Sequence, residues 1–361
     1  MSLSLAEHLT AQIERDGPIT FRDWMAAALY DPEGGYYTRT DIQRWGRSGD
    51  YRTSPERSDL FAATFASYFA RLYQQLGNPA SWTIVECGGG DGQFAAGVLN
   101  VLRSRFDTVF KATEYIFVEV GQGARENLEP FRERISLVSL GEIESIPAGI
   151  VVSNELLDAF PVNRVMRLNN ELVEIYVTTG VDKRFTWTTG PISNAEVALF
   201  CDELPYQLEE QQWIEVNLGI RDFFETISKK LQRGFVVTID YGAEAGDLYS
   251  FAERPQGTLR GYSQHQFVDD ILAAPGEYDI TTSIDWTYVR RCGETSGLKT
   301  IQLERQDRFL MQEGLLDELQ LQLASSTSDA EHAALTTSAR DMIIPNGMAA
   351  SFQVLIQEKT T

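Results

Sequence analysis

The chain has 361 residues, 43% of them hydrophobic and 23% charged, enough for one large domain or two modest ones without disulfide or metal staples. Lys and Arg number 31 against 52 Asp and Glu, and the resulting net charge of −21 repels phosphate backbones, so nucleic acid is not the expected partner. Cys87, Cys201 and Cys292 are odd in number and far apart, and His8, His265 and His332 fall in no ligand spacing, so neither a disulfide framework nor a metal site is expected.

A helix needs about eighteen consecutive apolar residues to cross a bilayer, and no such run occurs, so membrane insertion is not expected. The first seventeen residues lack the basic start and apolar core of a signal peptide and the Arg-rich, acid-poor character of a transit peptide. A cytoplasmic location is the expectation.

Leu5, Leu9 and Ile13 recur every fourth residue and predict a short amphipathic helix, stopped by Gly17-Pro18. Thr20 opens a second helix, with Asp23 three residues on as its capping partner. Asp31-Pro32-Glu33-Gly34-Gly35 reads as a turn, and Tyr36 to Pro55 as irregular loop. From Ser58 a longer helix carries Leu60, Phe61, Phe65, Phe69, Leu72 and Leu76 to a stop at Gly77. Residues 1–78 are therefore expected to form a helical cap with a loop ahead of a main domain at 79–361. The aromatic side chains Tyr36, Tyr37, Trp45 and Tyr51 suit that loop either to a lid or to a partner surface.

Strands and helices then alternate. Trp82–Glu86 is strand, Phe94, Val98, Leu102 and Phe106 stripe a helix, and Tyr115–Val120, Ile135–Leu140 and Gly149–Ser153 are further strands. Such alternation implies parallel strands joined by helical crossovers. The pattern breaks at about 162–218, where Asn163–Leu168, Leu172–Thr179 and Phe185–Thr188 predict a β-rich, antiparallel insertion. A helix from about Ile220 to Leu231 returns the chain to the sheet at Phe235–Asp240. Later strands are expected around Tyr278–Asp285, Leu298–Leu303 and Ser351–Gln357, with Ala324–Glu331 as loop. The expected fold class is α/β, a Rossmann-like seven-stranded sheet with an N-terminal helical region.

The sharpest motif is Val85-Glu86-Cys87-Gly88-Gly89-Gly90-Asp91-Gly92, placed after a strand and before a helix. Gly88, Gly90 and Gly92 form a G-x-G-x-G turn, which lets a ligand approach the backbone at the carboxyl end of the sheet. A dinucleotide frame starting at Gly88 fails, because Gln93 holds its third position; a frame starting at Gly90 fits with Ala95. Glu86 and Asp91 flank the turn, and two acids suit a cationic sulfonium better than a diphosphate. The balance favours S-adenosylmethionine as cofactor over NAD. Glu119, at the end of the second strand, is placed to accept both ribose hydroxyls.

Past the fourth strand, Ser153-Asn154-Glu155-Leu156-Leu157-Asp158-Ala159-Phe160-Pro161 lies where a transferred methyl would meet its acceptor. Asn154, Glu155 and Asp158 are the candidate catalytic residues; the same letters also suit a helix start capped by Asn154. If the acceptor is a guanidinium, Glu155 and Asp158 would hold it in a fork and help take its proton, with Asp50 or Glu56 closing over the site. The Asn-Pro-Pro-Tyr block of base-amine methylation and the Pro-Cys of cytosine-C5 methylation are absent, and so is the Gly-Lys-[Ser/Thr] of a P-loop. A small-molecule acceptor, an NAD-dependent oxidoreductase and a non-catalytic assembly factor remain the alternatives.

Taken together, these blocks resemble the MidA family, which includes the mitochondrial complex I assembly methyltransferase. The similarity runs through Gly17-Pro18-Ile19-Thr20-Phe21, Asp31-Pro32 to Gly35-Tyr36-Tyr37, and Gly49-Asp50-Tyr51-Arg52-Thr53-Ser54-Pro55-Glu56. It continues through the glycine turn, Asn154 to Pro161, Ile239-Asp240-Tyr241-Gly242, Gly257-Thr258-Leu259-Arg260 and His265. The resemblance implies a class I methyltransferase fold and places Pro55 at the cofactor. For the mitochondrial member it implies methylation of an arginine in an NADH dehydrogenase subunit, so a protein substrate is the expected partner.

Overall fold

Runs of β-branched and aromatic residues become the strands of one main sheet in the computed structural model, which describes residues 3–42, 59–121, 125–205, 207–264, 266–344 and 351–360. Its strands are β1 (Trp82–Cys87), β2 (Thr113–Val118), β3 (Ile135–Leu137), β4 (Gly149–Asn154), β5 (Gly234–Ala243), β6 (Lys299–Arg305) and β7 (Phe352–Lys359). They lie side by side in the order β3-β2-β1-β4-β5-β7-β6. The first five are parallel, and β7 runs antiparallel to β5 and β6. A short strand, Ile284–Asp285, extends the far end of β5 at Gly242 and Ala243.

The two faces of the sheet can be read from alternate residues. Trp82, Ile84, Ile150, Val152, Val237 and Ile239 enter one buried cluster, joined by Phe61, Phe65 and Phe94 from helices Asp59–Gln75 and Gln93–Arg105. Val85, Val151 and Val236 enter the opposite cluster, covered by helices Gly219–Lys230 and Trp286–Thr295. Both faces being covered explains why β1, β4 and β5 read as near-continuous apolar runs.

The insertion is an antiparallel sheet of Asn163–Leu168, Glu171–Thr179, Phe185–Gly190 and Trp213–Val216. Its first hairpin turns on Asn169 and Asn170, both at positive φ, as a two-residue primed turn demands. Ile19–Thr20 pairs with Val177 and Tyr176 of this sheet. Of the stretch expected as a cap, helices Leu5–Asp16 and Phe21–Tyr30 share a third core with Val162, Val177 and Ile280, while Asp59–Gln75 packs on the main sheet.

Several expectations shift. The strand expected at Ile135–Leu140 ends at Leu137, and Ser139 caps a 3-10 turn over Leu140–Glu142. β2 stops at Val118 rather than Val120, because its neighbour β1 ends at Cys87 and the Gly88 amide takes the Val118 carbonyl at 2.8 Å. Tyr278–Asp285 is divided: Asp279–Thr281 joins a small sheet with Arg260–Ser263, and only Ile284–Asp285 reaches β5. The loop expected at Ala324–Glu331 shrinks to 326–328, since one helix runs through Ser325 and Ser328 caps the next, Asp329–Ile343, through the Glu331 amide. Among the described residues no helix is long and apolar enough to cross a membrane.

Candidate functional site

The carboxyl edge of the main sheet holds a cavity of about 230 Å³. Gly88 walls it after β1, Glu119 after β2, and Glu155 and Leu156 after β4; Tyr30 and Tyr37 close it from the N-terminal segment.

The glycine turn forms because nothing else fits it. Gly88, Gly90 and Gly92 sit at φ of +71°, +58° and +81°, where a Cβ is strained. A Cβ on Gly89 would stand 2.2 Å from the Phe117 ring, and one on Gly88 would stand 2.9 Å from Leu156 Cδ1. The turn is thus pressed between β2 and the chain leaving β4. Asp91 closes it into the following helix, accepting from Gln93 N at 3.0 Å and Gln93 Nε2 at 2.6 Å.

Glu119 ties two loops together. Its Oε2 accepts from Gly90 N at 2.9 Å and its Oε1 from Gly121 N at 2.8 Å. Anchored so, its carboxylate lies on the cavity wall, the position from which an acid accepts ribose hydroxyls. Glu86 is turned the other way, into the core, with only 4% of its surface exposed. Its Oε2 accepts from the Tyr115 hydroxyl at 2.6 Å, and its carboxyl lies directly under Gly89. Burial pushes this carboxyl up to about 8, against the Tyr115 bond, with the charges of Glu119 and Asp91 adding to the rise.

The residues singled out as candidate catalytic groups follow β4. Asn154 Nδ2 donates to Glu155 Oε1 at 3.2 Å, while Asn154 Oδ1 is buried without a hydrogen bond among the described residues. Glu155 takes φ +51°, unusual for a residue with a side chain, and faces the cavity. Asp158 does not line it. Its carboxyl is buried and accepts from the Tyr241 hydroxyl at 2.7 Å. Burial pushes it up to about 6, opposed by the Tyr241 bond and the Arg260 charge. The Arg260 guanidinium in turn lies 5.0 Å from the centre of the Tyr241 ring.

Of the residues singled out in the sequence, Gly88, Glu119 and Glu155 share the cavity wall, with Gly90 and Asn154 beside them. Glu86, Asp91 and Asp158 support the surrounding turns from outside it. Asp50, Glu56, Pro55, Trp45, Tyr51 and His265 lie outside the described residues.

Sequence reasoning missed Tyr30, and it named Asp240 only as part of the block Ile239-Asp240-Tyr241-Gly242 without giving it a place at the site. Tyr30 ends a helix with no local mark of function, yet its hydroxyl donates to the Ala159 carbonyl at 2.9 Å and its ring stacks on Tyr37 at 5.5 Å. Tyr37 is pinned in turn, donating to Asp279 Oδ1 at 2.6 Å. Asp240 did carry a signal, an acid at the end of the apolar strand Phe235–Ile239. It is fully buried, and burial together with the neighbouring Asp158 charge raises its carboxyl well above the usual range.

The strand order, the glycine turn after β1 and the acid after β2 define a class I S-adenosylmethionine-dependent methyltransferase fold. The residues fit that cofactor: a close-approach glycine cradle, a wall carboxylate for the ribose, and an orphaned Asn154 oxygen and Glu155 beside it for polar or cationic groups. The model of a family of S-adenosyl-L-methionine-dependent methyltransferases matches residues 64–303, well over half the chain, and the chain belongs to that family. Its cofactor is S-adenosylmethionine, and the frame starting at Gly90 does not mark an NAD site.

Relatives bear out the resemblance read from the sequence. The protein arginine methyltransferase NDUFAF7 homolog of Drosophila melanogaster is 27% identical over 81% of this chain and 71% of its own. The zebrafish, Danio rerio, protein arginine methyltransferase NDUFAF7 is 26% identical over 97% of this chain and 86% of its own. Both are mitochondrial proteins. A crystal structure from Burkholderia thailandensis bound to S-adenosyl-homocysteine superimposes with a TM-score of 0.87 at 29% identity, covering 98% of this chain and 91% of that one.

Proposed function

We propose that this methyltransferase acts on an arginine side chain of a protein, with Glu155 as the carboxylate that receives the guanidinium. The observation that carries this reading is the placement of Glu155, held at φ +51° on the wall it shares with Gly88 and Glu119. The names of the relatives support arginine as the acceptor. An NADH dehydrogenase subunit is the protein substrate that the MidA resemblance suggests, and a cytoplasmic location is kept as part of the proposal. In this reading residues 1–78 serve as a cap on a main domain at 79–361, with the insertion at about 162–218, and Pro55 adjoins the cofactor.

S-adenosylmethionine supplies an electrophilic methyl group on a sulfonium. The work left to the chain is alignment and charge. A guanidinium, with a pKa above about 12 and a delocalised lone pair, is a poor nucleophile. Glu155 holds it in a fork, draws its charge away from the attacking nitrogen and helps accept the released proton. Asn154 Oδ1 adds an acceptor at the same edge, and Asp158 acts from behind the turn through Tyr241.

The test is transfer of tritium from methyl-labelled S-adenosylmethionine to the total protein of a cell lysate. Glu155→Gln is expected to keep S-adenosylhomocysteine binding and to slow transfer by about 100-fold or more. Transfer by that variant at the wild-type rate would refute the role of Glu155. Cofactor binding by wild type with no transfer to any protein would favour the non-catalytic assembly factor.

A further inference from the structure

We infer that Asp240 is the positioning residue of the acceptor edge: its buried carboxylate folds the chain after β4 so that Glu155 faces the cavity. The inference rests on the reading of Glu155 given above.

Glu155 occupies the left-handed region immediately beyond a parallel strand, a conformation disfavoured by its Cβ and kept only where the surroundings impose it. What imposes it is the end of β5. Glu155 N donates to the Ile239 carbonyl at 2.9 Å, in the manner of one more rung of the ladder between β4 and β5. The chain then reverses, and the amides of Leu157 and Asp158 both donate to Asp240 Oδ2, at 3.0 and 3.3 Å. Asp240 Oδ1 accepts from Tyr241 N at 2.8 Å, which fixes the carboxylate plane from its own strand. One side chain thus receives three backbone N–H groups, two from the turn and one from β5.

Two oxygens are required for this arrangement, one facing each set of N–H groups. Both carboxyl oxygens accept, whereas an amide turns a donor toward one of the two sets of N–H groups and leaves buried donors opposed to it. Asp240 is fully buried and is not part of the cavity wall, so it reaches the site through the turn. The far side of the turn is clasped independently: Thr282 N donates to the Asp158 carbonyl at 3.0 Å and the Tyr30 hydroxyl to the Ala159 carbonyl. Loss of Asp240 should therefore free the segment around Glu155 without releasing its downstream end.

The test compares wild type, Asp240→Asn, Glu155→Gln and the double variant, all as full-length protein. S-adenosylhomocysteine affinity of Asp240→Asn should stay within about threefold of wild type, since Gly88 and Glu119 are untouched. Amide exchange of Leu157 and Asp158, whose N–H groups Asp240 receives, should rise at least about tenfold. Methyl transfer to lysate protein should fall at least about tenfold in Asp240→Asn, but Asp240→Asn should slow the Glu155→Gln background by less than about twofold. Equal slowing in both backgrounds would overturn the inference, because Asp240 would then not act through Glu155. So would wild-type protection of Leu157 and Asp158. Should Asp240→Asn fail to fold, Asp240→Glu, which keeps both carboxyl oxygens but displaces them by a methylene, is measured in the same way. If wild type transfers no methyl group, the acceptor reading falls, and the exchange comparison alone decides whether Asp240 sets the turn.

Discussion

Glu86 should make the cofactor-free protein less stable as the solution becomes more alkaline. The sign follows from its pKa. The carboxyl is raised from an ordinary value of 4.5 to about 8, chiefly by burial, so the folded protein keeps a proton that the unfolded chain releases. Stability contributed by this group is fully present below 4.5, declines as pH rises, and levels off above 8. At pH 7 the group stands about 2.5 pH units past its unfolded value, and at about 1.4 kcal/mol for each the cost is on the order of 3 kcal/mol. Glu86→Gln removes the proton exchange while leaving an oxygen to accept from the Tyr115 hydroxyl. The two proteins should melt close together near pH 5, and the variant should melt progressively higher by pH 8. Scanning calorimetry of both proteins across that range measures the difference, from which the other titrating groups cancel. Melting curves that stay parallel from pH 5 to pH 8 would show that Glu86 is already ionised in the folded state and would refute the reasoning.

Glu119→Ala removes the carboxylate that accepts from Gly90 and Gly121 and should abolish measurable S-adenosylhomocysteine binding by calorimetry while leaving the far-ultraviolet spectrum unchanged. Gly89→Ala places a Cβ 2.2 Å from the Phe117 ring, so it should lower Tm and weaken cofactor binding together, as thermal shift with and without S-adenosylhomocysteine will report. Arg164 pairs with Glu215 at 3.1 Å in the insertion, both buried, with the guanidinium 4.7 Å from the centre of the Trp213 ring. Arg164→Ala leaves the buried Glu215 without its cation, with Thr258 N and Oγ1 as its remaining donors, and should cost about 3–5 kcal/mol in chemical denaturation.

The parts of this architecture that were legible in the sequence are the local ones. Strands β1, β4 and β5 could be read because burial on both faces leaves an uninterrupted apolar run, and the cofactor turn because only glycine tolerates its φ values. Glu119 could be placed because an acid one residue past β2 necessarily sits at the carboxyl edge, next to the glycine turn of the neighbouring strand. Tyr30, and the contacts of Asp240 though not the residue itself, were hidden for the opposite reason. Their partners, Ala159 and Leu157, are distant in the chain and meet them only after the strands have paired.

Asp158 shows how a correct segment can yield a different geometry. A spacing of three residues between Glu155 and Asp158 puts both acids on one face if the segment is helical. The chain is not helical there: Glu155 is left-handed, and only Leu157–Ala159 forms a single 3-10 turn. The reversal sends Glu155 toward the cavity and Asp158 toward Tyr241, so the two carboxylates face different surroundings. That separation has a chemical consequence. An acid on the cavity wall can exchange protons with a bound acceptor, whereas one buried against a tyrosine and pushed up to about 6 holds its proton more readily and shapes the turn instead. A sequence motif names the residues at the edge of the sheet, but the handedness of one backbone torsion decides which of them faces the cavity.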